Sequence, residues 1–165
     1  LMRMTDVFLA FPALLLAVLM AAALGPGLIN AILAVAVTWW PWYARIARAE
    51  VLALRGQPYV EAARLMGVSH PRILIRHILP AALRPLSVQA ALDVGPALLT
   101  ASALSFLGLG VLPPTADWGQ MVDAGRKFFP ERWWYSAAPG LAVFLLALAF
   151  SVLGDALRDR EGEDA

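Results

Sequence analysis

Cysteine is absent from this chain of 165 residues, which excludes disulfides, thiolate metal sites and cysteine nucleophiles and leaves the compartment open. Histidine is scarce. His70 and His77 both fall in one basic stretch that lacks the further ligands a metal site would need. Charged residues make up only 15% of the chain and the net charge is +1, so no overall basic excess points to nucleic acid. Neither a phosphate-cradling Gly-x-x-x-x-Gly-Lys-Ser/Thr nor a His-Glu-x-x-His occurs, and no Ser-His-Asp grouping can be assembled. No catalytic residue, metal or cofactor is therefore expected. Internal repeats and low-complexity segments are also missing.

What is present is apolar. Hydrophobic residues reach 61% and the mean hydropathy is +0.70, beyond an ordinary soluble domain, where about half is usual. The pattern predicts an all-α bundle with about four transmembrane spans, over residues 7–24, 28–43, 86–109 and 138–153, each near the ~20 residues that cross a hydrocarbon core. Residues 1–6 lack the order of a signal peptide and are expected to be a loop entering the first span. Gly25-Pro26-Gly27 ends that span. The second is expected to extend into residues 44–49, with Trp39, Trp40, Trp42 and Tyr43 as an interfacial belt. The third is interrupted by Asp93 and by Gly95-Pro96. An ionised carboxylate there costs about 3 kcal/mol against lipid, so Asp93 should face the bundle interior, a partner helix or water.

Between the second and third spans lie Arg45, Arg48, Arg55, Arg64, Arg72, Arg76 and Arg84, opposed only by Glu50 and Glu61. The positive-inside rule makes this loop cytoplasmic, and most of these arginines are expected to fix topology and touch anionic headgroups; Arg64 is the exception. Within the loop, Pro58 suits the first turn of a helix and Gly67 the left-handed residue beyond its end, which predicts a short helix over 59–66. Ser69 is expected to cap a second helix by accepting from a backbone N–H near Arg72, with Pro71 in its first turn and a stop at Leu79-Pro80. The two helices would form a compact knob.

On the opposite side of the bundle, the glycines of Ser105-Phe106-Leu107-Gly108-Leu109-Gly110 let the chain leave the membrane and Pro113-Pro114 stiffens the exit. Trp118, Met121, Val122, Phe128 and Phe129 recur at helical spacing behind Asp117, a candidate cap, which predicts an amphipathic helix on the outer surface. Trp133, Trp134 and Tyr135 form a second belt.

Glu61-Ala62-Ala63, three residues, Gly67, then Ile78-Leu79-Pro80 resembles the EAA loop of the permease subunits of ABC importers, with His77 where the usual pattern has Ile. The string Ser105 to Gly110, Pro113-Pro114, Thr115 and Trp118-Gly119 is similar to the peptide and nickel branch of that family. So are Gly140 to Leu145 and Leu153 to Asp159. The resemblance implies that 1–160 is the C-terminal part of a permease domain and 161–165 a cytoplasmic tail. It also implies that two further spans and an external region precede this point in a typical member, so the chain is expected to be N-terminally truncated or partly represented. Both of its ends would be cytoplasmic in a multi-pass inner-membrane protein. Glu61, Ala62, Ala63, Arg64 and Gly67 would couple to separate ATPase subunits: the alanines make a slim helix, Glu61 offers an acceptor and Gly67 the reversal. A homologous permease, as a heterodimer, and an extracytoplasmic substrate-binding protein are the other implied partners. Asp117 and Trp118 would receive that binding protein or simply cover membrane. Asp93 would border the translocation path or pair with an arginine such as Arg84. The implied function is import of peptides or similar small solutes. The rivals are an ion-coupled secondary transporter, with Asp93 and the Gly-Pro break as its coupling site, and a non-transporting scaffold.

Overall fold

The structure, a computed structural model, describes the backbone of residues 2–163 and the side chains of residues 2–159. Every regular element in it is helical: α1 (Met2–Leu9), α2 (Ala13–Leu24), α3 (Leu28–Arg55), α4 (Pro58–Leu65), α5 (His70–Ile73), a π-turn (Leu74–Ile78), α6 (Leu79–Phe106), α7 (Trp118–Arg126) and α8 (Trp134–Glu163). The bundle is built on α3, α6 and α8, of 28, 28 and 30 residues, each about 42–45 Å long at 1.5 Å per residue.

The spans differ from those expected. Residues 7–24 are not one rod: α1 and α2 meet at 96°. Pro12 lacks an N–H and biases Phe11 away from helix, and Pro12 itself is extended (φ −58°, ψ 125°). The apolar run hides this break. Residues 2–6, expected as a loop, belong to α1, which is fastened to α3 by Asp6 to Arg45 at 2.8 Å and by an edge-on Phe8–Trp40 pair. At 12 residues, α2 is about 18 Å long, short of a ~30 Å hydrocarbon core. Among the described residues, α8 alone is long and apolar enough to cross a bilayer unaided (Trp134–Asp159, mean hydropathy 2.2). Both α3 and α6 have the length, but the aromatic and arginine residues of one and Gln89, Asp93 and the prolines of the other dilute their apolarity.

Three boundaries move as well. The second helix runs on to Arg55, through Pro41. The third begins at Leu79 and continues through Pro85 and Pro96, so Gly95-Pro96 does not interrupt it. The expected stop at Leu79-Pro80 is absent, because the π-turn bonds the Leu79 N–H back to the Leu74 carbonyl and leaves Pro80 in the first turn of α6, where a missing N–H is tolerated. The last helix starts at Trp134 and extends to Glu163, into the tail expected at 161–165, of which 164–165 lie outside the described residues.

Packing places small residues inside and large ones outside. Ala17, Ala21, Ala31 and Ala34 form the buried contact between α2 and α3, joined by Leu104 of α6. The most extensive interface, α6 against α8, closes to backbone contact. A Cβ on Gly154 would lie 2.9 Å from Leu92 Cα, and one on Gly95 would lie 2.9 Å from the Ala147 carbonyl oxygen. Leu14, Leu15 and Leu19 of α2, Ile29 and Ile32 of α3, and Leu141, Phe144, Leu148 and Val152 of α8 point outward instead. Asn30 closes the α2–α3 turn by donating to the carbonyls of Leu24 (2.9 Å) and Gly25 (3.0 Å).

Gly154→Val should therefore cost about 1–3 kcal/mol, the usual range for overpacking. Thermal unfolding in detergent checks this, with Gly56→Ala, which meets nothing within 4 Å, as the neutral control.

Candidate functional site

The knob forms between Arg55 and Leu79. Pro58 opens α4 and Met66 closes it; Gly67 then takes the left-handed conformation at φ +77°. The Val68 N–H donates to the Ala63 carbonyl (3.1 Å) and the Gly67 N–H to the Arg64 carbonyl (2.9 Å), the paired bonds of a Schellman ending. A Cβ on Gly67 would meet nothing within 4 Å, so its requirement is conformational rather than steric. Ser69 stands extended at the start of α5, as expected, but its hydroxyl makes no cap bond. Pro71 has removed one of the two N–H groups that a cap at Ser69 could reach.

The knob has its own core: Val60, Ala63, Ile73 and Ile78, with Val51, Leu54 and Val68 packed against it. Of the residues expected to face a partner, Glu61, Ala62, Arg64 and Gly67 are exposed, whereas Ala63 is buried and holds the knob together. The outward face also carries Leu65 and Met66, 89% and 75% exposed, which the sequence reading did not single out. Their signal was available: two large apolar side chains directly before the reversing glycine have no interior to enter.

About 20 Å from the knob, α3 and α6 are joined by a polar node. Tyr43 of α3 donates its hydroxyl to Asp93 Oδ2 (2.8 Å), and Gln89, one turn before Asp93 on α6, donates to Oδ1 (2.9 Å). The carboxylate faces a partner helix, one of the environments expected for it. It does not pair with Arg84, which lies nine residues and about 13 Å away along α6. Tyr43, assigned from sequence to the belt alone, is thus also a cross-helix hydrogen-bond donor.

At the far end of α6, Asp117 caps α7 by accepting from the Gln120 N–H (3.1 Å). Trp118 is exposed and, with Ala116, Asp117 and Met121, lines an open recess of about 240 Å³. Helix α7 stops at Arg126, so Phe128 and Phe129 lie in turns rather than on its apolar face; the chain has to reverse there to start α8, and Gly125 already abuts Ser136. The glycines of this segment have a tighter role than exit from the membrane. Gly110 and Gly119 both press on Ser105, which is buried, and Gly119 also meets the Ser102 carbonyl. The repeated serine and glycines are one packing contact that fastens the outer segment onto α6.

Residues 1–162 match the sequence profile of the family described as "Binding-protein-dependent transport system inner membrane component". The chain belongs to this family. Curated members align over nearly all of it. It is 47% identical to a "Probable D,D-dipeptide transport system permease protein" of Escherichia coli K12 over 158 residues, 96% of this chain and 53% of that protein. It is 46% identical to a "Di/tripeptide transport system permease protein" of Pseudomonas aeruginosa (96% and 52%) and 43% to a "Nickel transport system permease protein" of E. coli K12 (96% and 57%). The chain spans about half the length of the curated relatives it matches. Membership of an inner-membrane component family agrees with the small-inside, large-outside packing of the bundle, and with a knob that packs by the opposite rule.

Replacing Gly67 by Val should force a β-branched side chain into a left-handed conformation, at a cost of about 1–2 kcal/mol or more. Hydrogen exchange at the Gly67 and Val68 amides should then accelerate roughly tenfold, with α8 unchanged.

Proposed function

We propose that the protein to which this chain belongs is a permease subunit of an ATP-binding-cassette importer, moving peptides or similar small solutes across the inner membrane. The observation that carries this reading is the knob. A small domain with its own core hangs between the long helices α3 and α6, and its tip presents Leu65 and Met66 beside Glu61 and Arg64. An apolar tip ringed by charge suits insertion into a groove on a separate ATPase subunit, where the two side chains would be buried. The names of the relatives support the solute class, dipeptides, tripeptides or nickel being what those permeases are named for.

In this reading the arginine-rich knob side and both ends of the chain are cytoplasmic. The ATPases hydrolyse ATP, a homologous permease completes the path as a heterodimer, and an extracytoplasmic binding protein delivers solute to the opposite face. Exposed Trp118, set by the Asp117 cap beside the open recess, is the surface there for that binding protein. Large apolar side chains left outside on α2, α3 and α8 are available to lipid and to the second permease. Closure of the ATPases displaces the knob, and α3 and α6, continuous with it, carry the displacement into the membrane.

Leu65→Asp together with Met66→Asp should leave membrane insertion and the fold intact, because neither side chain packs inside. ATPase subunits should be lost from a detergent pull-down, since burial of each residue is worth about 1.5–3 kcal/mol. Stoichiometric ATPase on the double variant, or none on the wild type, would sink this reading. Glu61→Lys tests the charged side of the same tip and should separate ATP hydrolysis from uptake.

A further inference from the structure

We propose that Tyr43 and Asp93 are positioning residues that tie the two arms of the knob together, so that knob, lower α3 and lower α6 swing as one lever. This builds on the importer reading. Three observations carry it. The tie sits at matched heights: Tyr43 is 12 residues before the knob-side end of α3 and Asp93 is 14 residues after the start of α6, about 18 and 21 Å along the respective helices. The Tyr43 to Asp93 bond spans 50 positions in sequence and is the side-chain hydrogen bond that joins α3 to α6 among the described residues. Gln89 occupies the second carboxylate oxygen and fixes the rotamer, so the acceptor is aimed at α3.

The third observation is where the helices are weakened. Pro41 lies two residues beyond Tyr43 on the side away from the knob, and Pro96 lies three residues beyond Asp93 on the same side. Each proline removes an intrahelical hydrogen bond and is the place where a helix bends most easily. Pro41 and Pro96 are therefore level, within about 3–5 Å of the tie along each helix, whereas Pro85 falls on the knob side, inside a segment of α6 held at one end by the tie and at the other by the knob core. Below that level the arms are joined at the top by Tyr43–Asp93 and at the bottom by the knob core. Without the tie, each arm could bend at its own proline and the knob's displacement would be dissipated as shear between α3 and α6. With it, the closed frame tilts about the line through Pro41 and Pro96. At the level of the tie α6 is pinned to α8, Gly154 against Leu92 and Gly95 against Ala147, and the Ser105 contact holds its far end, so the tilt about that level is delivered as a change of angle within the membrane.

The test uses the assembled transporter in proteoliposomes, reading uptake of radiolabelled trialanine per ATP hydrolysed. Tyr43→Phe and Asp93→Ala should each lower that ratio by about tenfold or more, tenfold being near the lower end of what one hydrogen bond to a charged group represents, and the double variant should be no worse than either. Asp93→Asn should stay within about threefold of wild type, because its amide oxygen still accepts from Tyr43 with about half the strength of a carboxylate. Loss of uptake in Asp93→Asn with Tyr43→Phe unaffected would overturn the tie and assign the carboxylate's charge to the solute path. A second reading needs no ATPase. The chain lacks cysteine, so Leu52→Cys and Leu83→Cys, outward on the two arms, can be spin-labelled uniquely. Tyr43→Phe should broaden the distance distribution between them, and an unchanged width overturns the proposal. Absence of ATP-driven uptake in the wild type would defeat the importer reading alone, with the spin-label width still deciding the tie.

Discussion

An apolar side chain gains little by moving from lipid into a protein interior, so helices in a bilayer associate where their backbones can come close. That constraint organises this bundle. Alanines line the contact between α2 and α3, and Gly95 and Gly154 let α6 and α8 touch backbone to backbone, while the leucines, isoleucines and phenylalanines that would fill a water-soluble core stay outside. Close approach also fixes geometry. A crossing that has no room for a Cβ cannot slide without opening a gap, so α6 and α8 are fixed against one another at Leu92 and Gly95.

The knob follows the reverse rule. Val60, Ile73 and Ile78 are inside, and Arg64, Arg72 and Arg76 are outside, as in a small domain facing water. The change of rule between Arg55 and Leu79 marks where the chain leaves the hydrocarbon more sharply than any hydropathy average does. It explains why the knob can persist as a unit while resting on only two covalent connections. It also explains why Leu65 and Met66 stand out: on α8 an exposed leucine is ordinary, but beside the charged residues of a knob that buries its own apolar core a pair of exposed apolar tips is not.

Features written into a few consecutive residues were legible from sequence. Pro58 and Gly67 set the limits of α4, and Asp117 capped α7, because each acts through the backbone within one turn. Features decided by neighbours were not. Pro12 broke a run whose hydropathy argued for continuity, and Pro80 failed to stop a helix because an upstream π-turn shifted the hydrogen-bond frame. Ala63 could not be told from Ala62 by composition, yet one faces Ile73 and Ile78 and the other faces out. The Ser105, Gly110 and Gly119 contact was visible as a motif, but its cause, three residues meeting where the loop folds over the end of α6, exists only in three dimensions. Tyr43 likewise looked like one more ring in an aromatic belt until α6 was placed beside it.

The π-turn, the Tyr43 bond and the Ser105 contact all meet on α6. Its first residues continue the π-turn that closes the knob, its middle carries Gln89, Asp93 and Gly95, and its last turn is clamped through Ser105. Since a helix transmits bending only as far as its hydrogen bonds are intact, the positions of its prolines decide how it behaves. A straight rod of 28 residues would pass a push at the knob directly to the outer segment. Pro96 removes one of its hydrogen bonds just beyond Asp93, at the level where Gly95 meets Ala147 and Gly154 presses on Leu92, so a weakened turn of α6 coincides with its closest contact to α8. The same device recurs in α3 at Pro41, which is buried in the bundle rather than placed at an end where proline would be harmless. Two interior prolines at one level, in the two helices that flank the knob, each leave a helical carbonyl without its usual donor, so both helices are weakest at the height where Tyr43 and Asp93 join them.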